Sequence, residues 1–218
     1  RWVHRVFQPH LGRPAQHCRN GVPAGSADKT TAGVECLAGR PLLCGYVLSM
    51  PRGAAVIDPK DSGQIVAMAD ICPGARVVEA GVGSGALSMS LLRAVGDLGH
   101  LHSFERREDF AEIARGNVEG FFGGPHPAWQ VTVGDLVEAL PKAVAPGTID
   151  RVVLDMLAPW ECLAVVAAAL APGGVLRCDG APPTPLCLVA EPSRPHGTFR
   201  TAVSRVVLVQ LLVPTGVA

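Results

Sequence analysis

The stretch "ARVVEAGVGSGALSMSLL", residues 75–92, decides the fold. It opens as a short apolar strand, gives up its side chains at Gly81, Gly83 and Gly85, and continues with Leu87, Leu91 and Leu92, followed beyond it by Val95, at helical spacing. Glycines between a strand and a helix let the backbone turn sharply and let a ligand approach the free N–H groups of the helix N-terminus. A nucleotide-like cofactor suits such a turn. The spacing E-x-G-x-G-x-G from Glu79 differs from the dinucleotide form G-x-G-x-x-G, so pyrophosphate is the poorer fit.

Working outward, strand and helix patterns alternate. "PKDSGQIVAMAD" (59–70) places Pro59 near a helix start and Ile65, Val66 and Ala69 on one face. "HLHSFE" ends a second strand at Glu105, and Phe110, Ile113, Ala114 and Val118 give the next helix its apolar stripe. "WQVTVGD" (129–135) and "DRVVLD" (150–155) are third and fourth strands ending in acids, and Trp160 to Leu170 reads as a helix closed by "PGG" before a strand start "GVL". Units of this length predict an α/β fold, Rossmann-like, with a mostly parallel twisted sheet and right-handed crossovers. After Leu176, "RCDGAPPTPLCLVAEPSRPHG" holds five prolines in 21 residues, so the sheet is expected to be incomplete at its C-terminal end. Only "SRVVLVQLLV" (204–213) there has strand character.

Composition sets the outer limits. A chain of 218 residues with 48% hydrophobic content and a balanced formal charge reads as one globular core, without the roughly 20 consecutive apolar residues of a membrane span. It begins at Arg1 rather than Met, carries no signal-peptide pattern, and is expected to lack its true beginning. The seven cysteines form no CxxC pair, His17 beside Cys18 has no further ligands in sequence, and no metal site is expected. Reduced cysteines point to the cytoplasm. Residues 41–177 carry ten Arg or Lys against fifteen acids, a poor electrostatic surface for RNA by itself.

Four acids, Glu79, Glu105, Asp135 and Asp155, stand at successive strand ends, which in a parallel sheet share the carboxyl edge where ligands bind. Glu105 lies about 20 residues after the turn, where an acid accepts both hydroxyls of a ribose, and Asp135 is placed to take an adenine amino group. The plainer reading is that an acid ending a strand is only a helix cap.

On these residues the chain resembles the class I S-adenosylmethionine-dependent methyltransferases. More narrowly, "RPLLCGYVLSMPRGAAVIDPKDSGQIV", "EAGVGSGALSMSLLRAVG" and "VLDMLAPWECL", in that order, resemble the actinobacterial branch of the tRNA adenine-58 N1-methyltransferases over about residues 39–177. The resemblance implies S-adenosyl-L-methionine as cofactor, tRNA as substrate and a homo-oligomer, a tetramer in the family. It implies a cofactor loop of Ser84, Gly85, Ala86 and Leu87, shaped by Gly81 and Gly83 with Glu79 upstream. Glu105 then corresponds to the ribose acid and Asp135 to the acid near adenine. Phe110 stands where close relatives have a His near the cofactor. Asp155 corresponds to the acid facing both cofactor and target base, and so to the catalytic residue.

Three segments follow: an atypical N-terminal segment 1–40, a methyltransferase core 41–177 and a divergent proline-rich tail 178–218. The flanks lack the family's β-rich N-terminal domain and its closing helix and strands. Two alternatives go with that: a catalytically impaired or inactive cofactor-binding relative, from a degenerate or misframed copy, and a small-molecule methyltransferase, which the acidic core favours.

Overall fold

The computed structural model describes residues 25–29, 33, 35–37, 39 and 41–179. The proline-rich run from 180 onward, the candidate strand 204–213 and most of segment 1–40, including His17 and Cys18, lie outside them. Within that N-terminal segment, where the sequence shows no period, β1 (Ala27–Lys29) and β2 (Glu35–Leu37) pair antiparallel.

The core alternates as the pattern predicts: α1 (Leu43–Ser49), α2 (Pro59–Met68), β3 (Arg76–Ala80), α3 (Ala86–Val95), β4 (His100–Glu105), α4 (Glu108–Phe122), β5 (Trp129–Val133), α5 (Leu136–Ala143), β6 (Ile149–Asp155), α6 (Leu163–Ala169) and β7 (Leu170–Asp179). Strands β5-β4-β3-β6-β7 form one sheet in that order, every pair parallel. The order reverses at β3, which puts the glycine turn between the carboxyl ends of β4 and β6, the switch point of a doubly wound sheet.

The inner strands β3, β4 and β6 are buried on both faces, as central strands of a parallel sheet are, while the edge strands β5 and β7 are only partly covered. Val77, Leu101 and Val153 pack under α1, α2 and α3 with Ile65, Leu91 and Val95. Val78, Phe104, Val152 and Leu154 pack on the other side with Leu136 and Leu140 of α5 and Val166 of α6. Two helices escaped the periodicity reading. Helix α1 is a seven-residue element, and α5 carries Pro141 in its interior, a residue that argues against helix in sequence.

At the C-terminal side the "PGG" segment does not simply close a helix. β7 begins at Leu170, opposite Ile149, and the ladder jumps to Val175 opposite Arg151, so Ala171–Gly174 bulge out of register. Gly173 takes φ +83° in that bulge, and a side chain on Gly174 would meet the Leu170 side chain and Ala171 oxygen. The strand then runs on to Asp179, past the point at Leu176 where the sequence pattern fades.

Candidate active site

Gly81 leaves β3 with φ +90°, donating its N–H to the Phe104 carbonyl of β4 (3.1 Å) and lying hard against the Asp155 carbonyl of β6. Gly83 (φ +55°) and Gly85 (φ +82°) complete the turn, and Gly85 is the N-cap of α3 with no side-chain cap bond. A Cβ on Gly85 would sit 3.3 Å from Ala114 of α4. The Asp155 backbone therefore excludes a side chain at Gly81, Gly85 sits tightly on Ala114, Gly83 has ordinary contact distances, and the φ of all three disfavours any side chain.

Glu105 ends β4, is 8% exposed, and accepts two backbone N–H groups: Gly83 on Oε2 (3.0 Å) and Arg107 on Oε1 (3.1 Å). Asp155 ends β6, half-buried. It lines one recess with Gly81–Ser84, Ala86, Leu87 and, from the facing segment, Ala55–Ile57. Its carboxyl is pushed up to about 6, by burial first and by Asp179 across the β6–β7 ladder second.

Glu79 does not reach this recess. It is fully buried under α3, where Oε2 accepts from Ser88 Oγ (2.7 Å) and Ser103 Oγ (2.6 Å), and Ser103 Oγ in turn accepts from Trp129 Nε1 (2.9 Å). Its Oε1 has no partner among the described residues, and burial raises the carboxyl to about 7. Ser84 is likewise turned away from open space: its Oγ accepts from the N–H groups of Gly53 (3.1 Å) and Ala54 (3.5 Å).

Asp135 caps α5, accepting from Val137 N (2.8 Å), and pairs with the exposed Arg106. It lines a larger open cleft of about 310 Å³ with Thr132, Gly134 and Lys142, at the sheet edge rather than at the glycine turn. The size of that cleft is no guide to chemistry, because it gathers no second acid from the switch point. Asp135 is nevertheless one residue from Gly134, whose N–H reaches the Glu105 carbonyl (2.8 Å). Phe110 lies under the Arg107 guanidinium, 3.7 Å from ring centroid to carbon, and against Gly53.

Sequence reasoning missed Ala55–Ile57 as a wall of the recess and Asn117 as its neighbour. Asn117 carried a signal, a lone amide four residues after Ile113 on an otherwise apolar helical stripe. Among the described residues no group of three or more His, Cys, Asp or Glu is placed to hold a metal, and no helix is long and apolar enough to cross a membrane.

Residues 37–183, which span this whole constellation, match the profile of one protein family. The chain belongs to the tRNA methyltransferase complex GCD14 subunit family. This GCD14-family chain is 37% identical over 172 residues to the tRNA (adenine(58)-N(1))-methyltransferase TrmI of Thermus thermophilus, an alignment covering 77% of the chain and 64% of that protein. It therefore spans just under two thirds of that relative's length. Among solved structures, it is similar to tRNA (m1A58) methyltransferase TrmI of Aquifex aeolicus, at 26% identity and a TM-score of 0.68, over 79% of this chain and 65% of that one. It is also similar to a SAM-dependent O-methyltransferase of Thermotoga maritima, at 28% identity and a TM-score of 0.75, over 85% and 67% of the two chains. The Rossmann-like class I methyltransferase fold of this GCD14-family chain follows from both likenesses and from its own strand order.

Proposed function

We propose that the chain transfers a methyl group from S-adenosyl-L-methionine to N1 of adenine 58 in the T-loop of tRNA. The observation that carries this reading is the joint placement of Asp155 and the glycine turn in one recess at the switch point, in a chain 37% identical to a curated enzyme of that activity.

The polar groups beside the turn suit the cofactor's ribose. A carboxylate offers about four lone-pair positions, and Glu105 spends two on backbone N–H groups, which leaves two for the hydroxyls of a ribose. Gly81, Gly83, Gly85, Ala86 and Leu87 let an adenosyl group approach the turn, Ser84 shapes it, and Glu79 supports it from below. Phe110 and Asp135 are assigned to the adenine side, Phe110 through its ring and Asp135 as acceptor for the amino group. The cofactor, when bound, supplies an electrophilic methyl on a sulfonium cation. Asp155, as carboxylate, accepts from the exocyclic amine of the target base, which orients the neighbouring ring nitrogen toward that methyl and places negative charge beside a cation.

The core acts on tRNA in the cytoplasm, within a homo-oligomer; the resemblance supports a tetramer, and Cys44, Cys72, Cys162 and Cys178 are free thiols, as in a reducing compartment. We place the segment boundaries at 40 and 177, inside the residues 37–183 that match the family. Purified chain, labelled cofactor and an unmodified tRNA transcript test the activity. Asp155→Asn should abolish transfer at adenine 58 while keeping cofactor affinity, and Glu105→Ala should weaken cofactor binding about tenfold or more, since bonds to a charged group are worth about 1.5–3 kcal/mol each. No transfer by the wild-type chain at any concentration would sink the reading.

A further inference from the structure

Resting on that reading of the recess as a cofactor pocket, we propose that Asn117 is a positioning residue: its buried side-chain amide clamps the segment 51–57 onto the glycine turn and so sets the affinity of the pocket. Asn117 is 3% exposed in the middle of α4. Both hydrogens of its Nδ2 are committed, one to the Pro51 carbonyl and one to the Ser84 carbonyl, each at 2.9 Å. Ser84 lines the recess, and Pro51 begins the segment whose residues Ala55–Ile57 line its other wall. A single amide thus ties a segment 66 residues away in sequence to a turn 33 residues away.

Two further contacts make the clamp a local unit. The Ser84 hydroxyl accepts from Gly53 N and Ala54 N, and Tyr46 Oη donates to the Asn117 backbone carbonyl at 2.7 Å. Gly53 lies so close to α4 that a Cβ there would stand 2.8 Å from both Phe110 Cδ1 and Ile113 Cδ1. The clamp matters because it holds the start of the segment, ahead of Val56 and Ile57, which pack against the core. The segment has no regular secondary structure, and none of residues 51–57 is fully buried, so its backbone placement depends on side-chain hydrogen bonds as well as on Val56 and Ile57. Yet Ala55–Ile57, immediately after the clamp, face Asp155 across the recess. Release of the clamp leaves β3, β6 and the acids where they are and frees one wall.

The chemistry singles out the amide. Asn117→Asp keeps the volume but removes both donors and turns a carboxylate toward two carbonyls. The test is calorimetry with S-adenosylhomocysteine, together with amide hydrogen exchange, on the full chain, Asn117→Asp and Ser84→Ala. In Asn117→Asp the dissociation constant should rise at least tenfold, and amides of 53–57 should exchange at least tenfold faster, while those of β3 and β6 keep wild-type protection. With turnover, the KM for cofactor should rise and kcat stay within twofold. If Asn117→Asp also loses protection in β3 and β6, Ser84→Ala decides, since it removes only the acceptor for Gly53 and Ala54; faster exchange in 55–57, whose amides do not bond Ser84, with weaker binding upholds the clamp, and unchanged exchange there overturns it. Unchanged affinity in a folded variant, or unchanged exchange in 53–57, overturns it. A wild-type chain that does not bind S-adenosylhomocysteine overturns the cofactor reading itself, and the clamp's function with it.

Discussion

The backbone carbonyl of Asp155 closes over Gly81: a Cβ on Gly81 would overlap that oxygen and stand 2.8 Å from the carbonyl carbon. The first glycine of the turn and the acid that ends β6 are thus one packed unit, joined on the other side to β4 by the bond from Gly81 N to Phe104 O. Gly81→Ala must both strain a φ of +90° and push β6 away, so it should destabilise the fold by about 3 kcal/mol or more and abolish cofactor binding. Gly74→Ala is the control, because its φ is +87° with nothing within 4 Å of the added carbon. It should cost about 1 kcal/mol by urea denaturation, with cofactor affinity intact.

Glu79 makes stability fall as pH rises. Its carboxyl, near 7 in the fold against 4.5 as the ordinary value, holds a proton that the unfolded chain has already lost between those two values. The unfolded state binds fewer protons there, so the stability of the native state declines through this window and levels off above it. Wild type should lose about 2 kcal/mol more than Glu79→Gln between pH 5 and pH 8, measured by denaturant titration. Equal pH slopes for the two proteins would show that Glu79 is ionised in the fold.

For Asp155, the proposed role requires the carboxylate, and burial raises its pKa to about 6 with help from Asp179. Transfer rate at saturating substrates should therefore drop about tenfold per pH unit on the acid side of that value and be flat above it. Removing the neighbouring charge with Asp179→Asn should move the acid limb to lower pH. A limb that stays in place would mean that Asp179 does not act on Asp155.

Asp135 has a structural duty that can be separated from its proposed one. Asp135→Ala removes the cap on α5 and should cost about 1 kcal/mol of stability, whereas Asp135→Asn still caps and should cost little. The exposed partner Arg106 adds little to either difference. If the carboxylate also takes the adenine amino group, Asp135→Asn should weaken cofactor binding about fivefold by calorimetry, because a charged acceptor is roughly twice as strong as a neutral one.

Sequence alone determined the parallel α/β core and the position of its turn. Apolar periods of two and 3.6 are local properties, and "VVEAGVGSGALS" joins them across three glycines with no other plausible backbone. It also placed Glu105 and Asp155 at strand ends, and the sheet brings both beside the same turn. What each neighbouring side chain does was decided by the tertiary structure. Glu79 and Glu105 look alike in sequence and lie on the same face of the sheet, since Glu79 pairs with Ser103 two residues before Glu105; but Glu79 sits inside β3 under α3, bonded to two serines, while Glu105 is the last residue of β4 and meets Gly83. Ser84 reads as a cofactor-loop hydroxyl, but the segment 51–57 reaches it first. Asn117 acquires its role only when chain positions 66 and 33 residues away arrive at one amide, and no local pattern encodes contacts of that separation.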